Sequence, residues 1–179
     1  DKEIQSFALS LYDTIHSLDP SRLVISNDGW EQCKTDLITV HNYCHDKEGD
    51  EKTYEKFKNA LKSRKNILNY DNIRRFILNP GYQDEGQPIL LSEFGGIAFN
   101  KDTGNGKNWG YTTCQDETNY INDLTRIYKA IEESECITGI CYTQLTDVEQ
   151  EVNGLLTFDR RYKVDPKEIR ALNDRLGVK

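Results

Sequence analysis

The sequence predicts an α/β fold with about four parallel strands and flanking helices. Short apolar runs alternate with amphipathic helical segments along all 179 residues, and each apolar run passes into polar residues. This alternation is typical of parallel sheets, whose buried strands are continuous apolar runs. The chain is long enough for one domain, or for part of a larger one.

The first helix and the first strand are predicted near the start of the chain. Apolar side chains recur every three or four residues over residues 1–19, and Pro20 marks the end of this helix. A strand is then predicted at residues 23–25, where an apolar Leu-Val-Ile run leads into Asn27 and Asp28.

A second strand and a long helical region follow. The strand is predicted at residues 36–43, whose apolar start gives way to His41 and Tyr43. Helical periodicity covers residues 51–78, in two pieces. Its apolar face comprises Tyr54, Phe57, Leu61, Ile73, Phe76 and Ile77. The mixed charges of residues 46–65 indicate a solvated helix face rather than a binding patch.

The second half of the chain repeats the strand and helix pattern. A third strand is predicted at residues 89–91, directly before Ser92 and Glu93. A helix is predicted at residues 116–133, after a long loop rich in Gly and Asn. The fourth strand is predicted at residues 137–145. A last helix begins with Asp165 and Pro166, which suit an N-cap and a first helical position, and reaches about residue 176.

Polar and aromatic residues lie at the carboxyl ends of all four predicted strands. Ligand sites of parallel α/β folds form at this edge, so we expect these side chains to share one face. They are Asn27, Asp28, His41, Tyr43, Glu93, Tyr142 and Gln144.

Glu93 is the strongest candidate for chemistry among them. It follows an apolar strand and precedes Gly95 and Gly96, which would leave room for a ligand beside its carboxylate. A carboxylate at the rim of a buried strand is costly unless it has a partner or a role. The same sequence pattern also fits a structural role, in which Glu93 is an exposed strand-end glutamate or is paired with a nearby arginine.

Composition excludes several classes of function. The net charge of -7 argues against a nucleic acid partner, which clustered Lys and Arg would bind. No apolar run approaches the ~20 residues of a membrane span, and the start of the chain lacks the pattern of a signal peptide. Five cysteines without a CxxC pair indicate reduced thiols, so we expect a cytoplasmic protein. A cysteine nucleophile paired with His16, His41 or His45 has no local support.

Several segments resemble glycoside hydrolase family 2, the group of β-galactosidases and β-glucuronidases. PILLSEFGG, residues 88–96, resembles the nucleophile strand of that family. DPSRLVISNDGWE (residues 19–31) and DLITVHNY (36–43) resemble its fifth and sixth barrel strands, and GLLTFDRRYK (154–163) its closing segment. The resemblance covers nearly the whole chain. It implies half of a (β/α)8 TIM barrel, with barrel strands 5 to 8 in one C-terminal half-barrel unit.

The resemblance also implies a reaction. Glu93 matches the nucleophile of a retaining β-glycosidase, which needs a second carboxyl ~5 Å away as acid/base. The Asn-Glu motif that carries this acid/base would fall just before residue 1, so we expect the chain to be nearly inactive by itself. No cofactor and no metal site are expected. The alternative is a non-catalytic carbohydrate-binding or scaffold fragment.

Substrate contacts are expected of several residues at the strand ends and in the loops that follow them. Tyr43 is similar to the active-site tyrosine of the family, and His41 points to the same side of its strand. Trp109 is a candidate for stacking on a sugar ring, and Trp30 suits loop packing equally well. Many members of the family have a tryptophan after strand 8, whereas this chain has Tyr142 and Gln144 there. A packed tyrosine and a satisfied strand-end histidine are the structural alternatives for Tyr43 and His41.

The implied half-barrel predicts a partner as well as a carbohydrate substrate. Half of a barrel has an exposed sheet edge and an open interior. We therefore expect self-association, or pairing with the missing N-terminal half of the barrel.

Overall fold

The computed structural model describes residues 1–44, 51–70, 75–99 and 108–177. Its main sheet has three parallel strands in the order β1-β2-β5, and a small parallel pair joins β3 and β4. The strands are β1 (Ile38–Asn42), β2 (Ile89–Gly95), β3 (Ile97–Ala98), β4 (Thr112–Thr113) and β5 (Ile137–Thr143). The helices are α1 (Lys2–Leu18), α2 (Glu51–Lys62), α3 (Arg64–Leu68), α4 (Glu117–Glu132) and α5 (Pro166–Arg175). The prediction of an α/β fold with a parallel sheet is confirmed.

One apolar core joins the main sheet to helices α2 to α5. Phe57 of α2 and Leu124 of α4 are fully buried in the same cluster as Ile38, Ile89 and Leu91 of the strands. These strand residues come from the apolar runs that predicted β1 and β2. Burial of these runs fixes the two strands, so their carboxyl ends meet at one edge of the sheet.

The ladder between β1 and β2 sets which strand-end residues are neighbours. Val40 pairs with Leu91, but the next residue, His41, pairs with Glu93 because the register shifts at this point. On the other side of β2, Phe94 pairs with Tyr142. The shift therefore places His41 directly beside Glu93.

The prediction of a strand at residues 23–25 is wrong, since these residues form no ladder. Val24 is buried, but its backbone N–H donates to the Asp36 side chain at 2.7 Å and its carbonyl accepts from the Asp36 N–H at 2.9 Å. Leu23 and Ile25 remain exposed. The apolar run thus lacks the two-sided burial that a central strand needs, and the main sheet has three strands among the described residues.

The helical region predicted at residues 51–78 is also too long. Among the described residues the helical region ends at Leu68, and residues 76–79 form backbone hydrogen bonds with residues 31–32, where Gln32 forms a parallel bridge with Leu78. Ile77 is buried as expected, but Phe76 is exposed. Ile73 lies outside the described residues. Tertiary pairing of the backbone has overridden the helical spacing of the side chains.

Helix α1 forms as predicted, but its apolar stripe is not covered. Among its residues only Tyr12 is buried. The exposed apolar side chains are Ile4, Phe7, Leu11, Ile15 and Leu18.

None of the described helices is both long and apolar enough to cross a membrane. All five cysteines are free thiols.

Candidate active site

Glu93 lies near the carboxyl end of β2, between the two other strands of the sheet. Its Oε2 accepts a hydrogen bond of 2.6 Å from the Tyr43 hydroxyl and lies 3.2 Å from His41 Nδ1. The side chain is 37% exposed. In the described part of the chain Oε1 accepts no hydrogen bond, so one oxygen is fixed and the other is available.

Tyr43 is a hydrogen-bond donor that keeps its proton. Burial, together with the hydrogen bond to Glu93, raises its pKa well above the usual range for a phenol. Its ring stacks on Tyr111, with centroids 3.7 Å apart and the planes inclined by 4°. The stacking fixes the ring, so the hydroxyl is held toward the Glu93 carboxylate.

His41 links Glu93 to a second carboxylate. Its Nε2 lies 3.0 Å from Asp28 Oδ2, and the Ser92 hydroxyl donates to Asp28 Oδ1 at 2.7 Å. Burial raises the pKa of Asp28, but the hydrogen bonds from Ser92 and His41 outweigh it, so this pKa is lowered overall. Asp28 is therefore an ionised acceptor that orients the imidazole against Glu93.

The loop before β1 packs against the same imidazole. The Trp30 ring meets it edge-on at 4.8 Å between centroids. Gly29 has a φ of 86°, and a Cβ there would lie 2.6 Å from the ring of His41. A side chain at this position would displace the histidine, so glycine is needed for the contact.

Asp28, His41 and Glu93 form the one group of potential metal ligands found among the described residues. One ligand atom from each lies within 4.8 Å of the others. The sequence did not predict this group, because its members come from three separate segments. Each ring nitrogen of His41 already faces one carboxylate, and these contacts account for the cluster without an ion.

The two glycines after Glu93 have a different role from the one expected. Both have positive φ values, of 89° and 63°. A Cβ on Gly95 would lie 2.2 Å from the Tyr142 ring, and one on Gly96 would lie 2.5 Å from the Tyr111 ring. The space beside these glycines is thus filled by tyrosines, which form a wall next to the nucleophile candidate.

Three other predicted residues lie around this group and bond elsewhere. The Tyr142 hydroxyl contacts the Tyr120 hydroxyl at 3.1 Å and donates to the Asn153 carbonyl at 3.3 Å. Gln144 Nε2 donates to Asn153 Oδ1 at 2.9 Å. Asn27 Nδ2 donates to the Trp30 carbonyl at 2.6 Å and stabilises the turn there. None of the three contacts Glu93 directly in the described part of the chain.

Trp109 and Tyr111 form the outer part of the site. Tyr111 N donates to the Gly96 carbonyl at 2.8 Å, and its ring meets Trp109 edge-on at 5.9 Å. The sequence predicted Trp109 but missed Tyr111, as well as Ser92 and Glu151. Ser92 is the neighbour of Glu93 in β2, but its bond to Asp28 depends on the fold. Tyr111 and Glu151 reach the site only through tertiary contacts, and no local motif indicates them.

No family profile and no curated protein sequence matches the chain. Solved structures do match it in fold. A β-glucuronidase from an uncultured Clostridium sp. matches 98% of the chain, with a TM-score of 0.61 and 16% identity. It covers 97% on a GH2 β-galacturonidase from Eisenbergiella tayi, with a TM-score of 0.60 and 17% identity. A β-D-glucuronidase from Dictyoglomus thermophilum matches over 96% of the chain, with a TM-score of 0.59 and 17% identity.

The chain spans less than a third of these structures, namely 30%, 30% and 28% of their lengths in the same order. At this identity the similarity is one of fold. It shows that the arrangement of strands and helices in the chain occurs within larger glycoside hydrolases.

Proposed function

We propose that the chain forms the nucleophile side of a retaining β-glycosidase site, on part of a (β/α)8 barrel. The observation that carries this proposal is the state of Glu93. Its Oε2 is fixed by Tyr43 and His41, while its Oε1 accepts no hydrogen bond in the described residues. The fold shared with β-glucuronidases and a β-galacturonidase supports the same reading.

In the proposed reaction Glu93 Oε1 attacks the anomeric carbon of a β-glycoside. A glycosyl ester forms as the bond to the leaving oxygen breaks, and a second carboxyl donates the proton to that oxygen. The second carboxyl then takes a proton from water, which cleaves the ester with net retention. The Tyr43 hydroxyl keeps Glu93 oriented through its hydrogen bond of 2.6 Å.

Asp28 has a suitable position for the second carboxyl but the wrong chemistry. One of its oxygens lies within 4.8 Å of a Glu93 oxygen, close to the ~5 Å typical of retaining pairs. A general acid needs a pKa near the working pH, whereas the pKa of Asp28 is lowered by Ser92 and His41 against the effect of burial. We therefore propose that the acid/base comes from another segment of the barrel, and that residues 1–179 alone are nearly inactive.

The proposed sugar site lies between the Glu93 carboxylate and the exposed rings of Trp109 and Tyr111. Trp109 and Tyr111 are 48% and 52% exposed, respectively. Aromatic faces of this kind bind the apolar faces of sugar rings. His41 has a positioning role in this proposal, because its ring lies between the carboxylates of Asp28 and Glu93 and contacts both.

The nucleophile assignment is tested by replacing Glu93 and supplying another anion. In the complete protein, Glu93→Ala should lower kcat for an aryl β-glycoside by about 10⁴- to 10⁶-fold. Sodium azide should restore turnover and give an α-glycosyl azide, because a single displacement inverts the anomeric carbon. The matched control, Glu135→Ala, removes an exposed glutamate and should keep wild-type activity.

Two results would count against the proposal. Wild-type hydrolysis with inversion, observed by NMR of the first product formed, would exclude a glycosyl-enzyme on Glu93. Binding of glycosides without any turnover in the complete protein would favour the non-catalytic, carbohydrate-binding alternative.

A further inference from the structure

The loop between β5 and α5 brings a third carboxylate to the outer part of the site. Trp109 N donates to the Gln150 carbonyl at 2.9 Å, and Val152 N donates to the Trp109 carbonyl at 3.1 Å. These two bonds form a parallel bridge that aligns Glu151 with Trp109. Glu151 and the exposed residues Trp109 and Tyr111 therefore form one wall at the outer part of the site.

This wall leads from Glu151 to the nucleophile candidate. Trp109 contacts Tyr111, Tyr111 stacks on Tyr43, and the Tyr43 hydroxyl donates to Glu93. The pKa of Tyr111 is raised by burial first, and then by the charges of Glu93 and Glu151. A ligand lying over Tyr111 would therefore be exposed to both carboxylates.

Glu151 is held in place by a buried amide. Asn153 is fully buried, and its Nδ2 donates to Glu151 Oε1 at 2.9 Å. Gln144 Nε2 donates in turn to Asn153 Oδ1 at 2.9 Å, which fixes the orientation of the Asn153 amide. The Glu151 carboxylate is thus a preorganised acceptor rather than a freely rotating surface group.

Among the described residues, carboxylates are the charged groups that this wall brings together. In the described residues no lysine or arginine pairs with Asp28, Glu93 or Glu151. Lys163, the buried cation of the same loop, is 1% exposed, and its Nζ donates to Asp147 Oδ1 at 2.6 Å and to the Val152 carbonyl at 2.8 Å. It is neutralised by Asp147 and buried away from a ligand.

We propose that Glu151 is a specificity-determining residue that selects neutral sugars over sugars that bear a carboxylate. A neutral sugar offers hydroxyl donors to the Glu151 carboxylate, whereas a uronic acid would add a like charge beside carboxylates that no described lysine or arginine neutralises. This inference rests on the proposed glycosidase function. If it is correct, the chain differs in substrate preference from the glucuronidases and the galacturonidase that share its fold.

The test compares pairs of substrates that differ only at C6. We suggest kcat/KM of the complete protein for 4-nitrophenyl β-glucoside against the glucuronide, and β-galactoside against the galacturonide. In at least one pair the wild type should prefer the neutral sugar by about tenfold or more. Glu151→Gln keeps the acceptor for Asn153 but removes the charge, and it should lower this preference about three- to tenfold by raising uronide turnover.

Glu149→Gln is the matched control, because it removes the same charge from an exposed residue of the same loop. It should change the ratio less than twofold. A wild type that hydrolyses glycosides but prefers the uronides would overturn the inference and leave the proposed function intact. So would a Glu151→Gln ratio equal to that of Glu149→Gln. A protein that hydrolyses neither class of substrate would overturn the proposed function, and this inference with it.

Discussion

Tyr43 is the residue whose contact connects the fold most directly to the proposed chemistry. Its hydroxyl is the donor at 2.6 Å from Glu93 Oε2, and its raised pKa, caused by burial and then by Glu93, keeps that proton in place. The stacked ring of Tyr111 prevents it from turning away. At the scale of single residues, the proposed glycosidase activity should therefore depend on the hydroxyl group of Tyr43.

Replacing Tyr43 by phenylalanine removes that hydroxyl and keeps the stacked ring. We expect kcat/KM for an aryl β-glycoside to fall about 10²-fold, the scale found when one oriented donor is lost from an active site. The melting temperature should stay within a few degrees of wild type, which separates a positioning role from a structural one. Tyr162→Phe, at an exposed tyrosine, is the control. Equal activity of the two variants would contradict the role given to Tyr43.

The sequence predicted part of this site and missed the rest for a physical reason. Glu93, Tyr43 and His41 follow apolar strands, and parallel strands bring their carboxyl ends together. The connection of Asp28 to Glu93 through His41 depends on a register shift after Val40, which no local pattern shows. Glu151 reaches the site only through backbone bonds between two distant loops.

At the scale of elements, the three strands of the main sheet were predictable and the irregular segments were not. The apolar runs of β1 and β2 are covered by helices, so composition alone located them. Residues 23–25 have the same composition, but the Asp36 side chain takes the Val24 N–H, and no neighbouring strand does. A side chain that forms a hydrogen bond with the backbone competes with pairing between strands, and the periodicity of the sequence does not reveal such a bond.

Asp36 also attaches α1 to the rest of the molecule. Its carboxylate accepts from the Tyr12 hydroxyl at 2.6 Å and contacts His16 Nε2 at 2.8 Å. Burial and then Asp36 raise the pKa of Tyr12 to about 12, so Tyr12 remains a donor. Burial raises the pKa of Asp36 itself, but the bonds from Tyr12, the Val24 N–H and His16 lower it overall.

A lowered carboxyl pKa in the folded state gives a pH-dependent stability of known sign. The contribution of Asp36 is present above the ordinary aspartate pKa of about 4, and is lost as the pH falls through the lower folded value. The free energy of unfolding should therefore fall less steeply below pH 5 in Asp36→Asn than in wild type. Tyr12→Phe, which removes one donor, should give an intermediate slope. Denaturant titrations at several pH values measure it, and identical slopes would contradict the assignment.

At the scale of the whole molecule, α1 exposes an apolar stripe. Phe7 is 64% exposed and Leu18 81% exposed, on a helix whose apolar spacing is that of a buried face. Contiguous apolar surface of this kind marks interaction sites. We propose that it packs against a second copy of the chain or against another part of the barrel, consistent with the chain spanning under a third of its structural neighbours.

Residues 1–179 alone should therefore associate with themselves. We expect sedimentation velocity to show a dimer or larger species that dissociates on dilution. Phe7→Glu should shift the equilibrium toward monomer, because a charge would be buried in the contact. Ser10→Glu, which adds the same charge at an exposed polar position of α1, should have a smaller effect. A wild-type chain that is monodisperse and monomeric would contradict self-association.

The central claim is that Glu93 forms a covalent bond to a sugar. The most direct measurement is trapping of the complete protein with an activated 2-deoxy-2-fluoro β-glycoside, followed by mass spectrometry of the intact protein and of its peptides. We predict a single glycosyl adduct on Glu93, which is absent from Glu93→Gln. An adduct on Asp28 or on any other carboxylate, or an unlabelled Glu93 in a protein that hydrolyses glycosides, would contradict it.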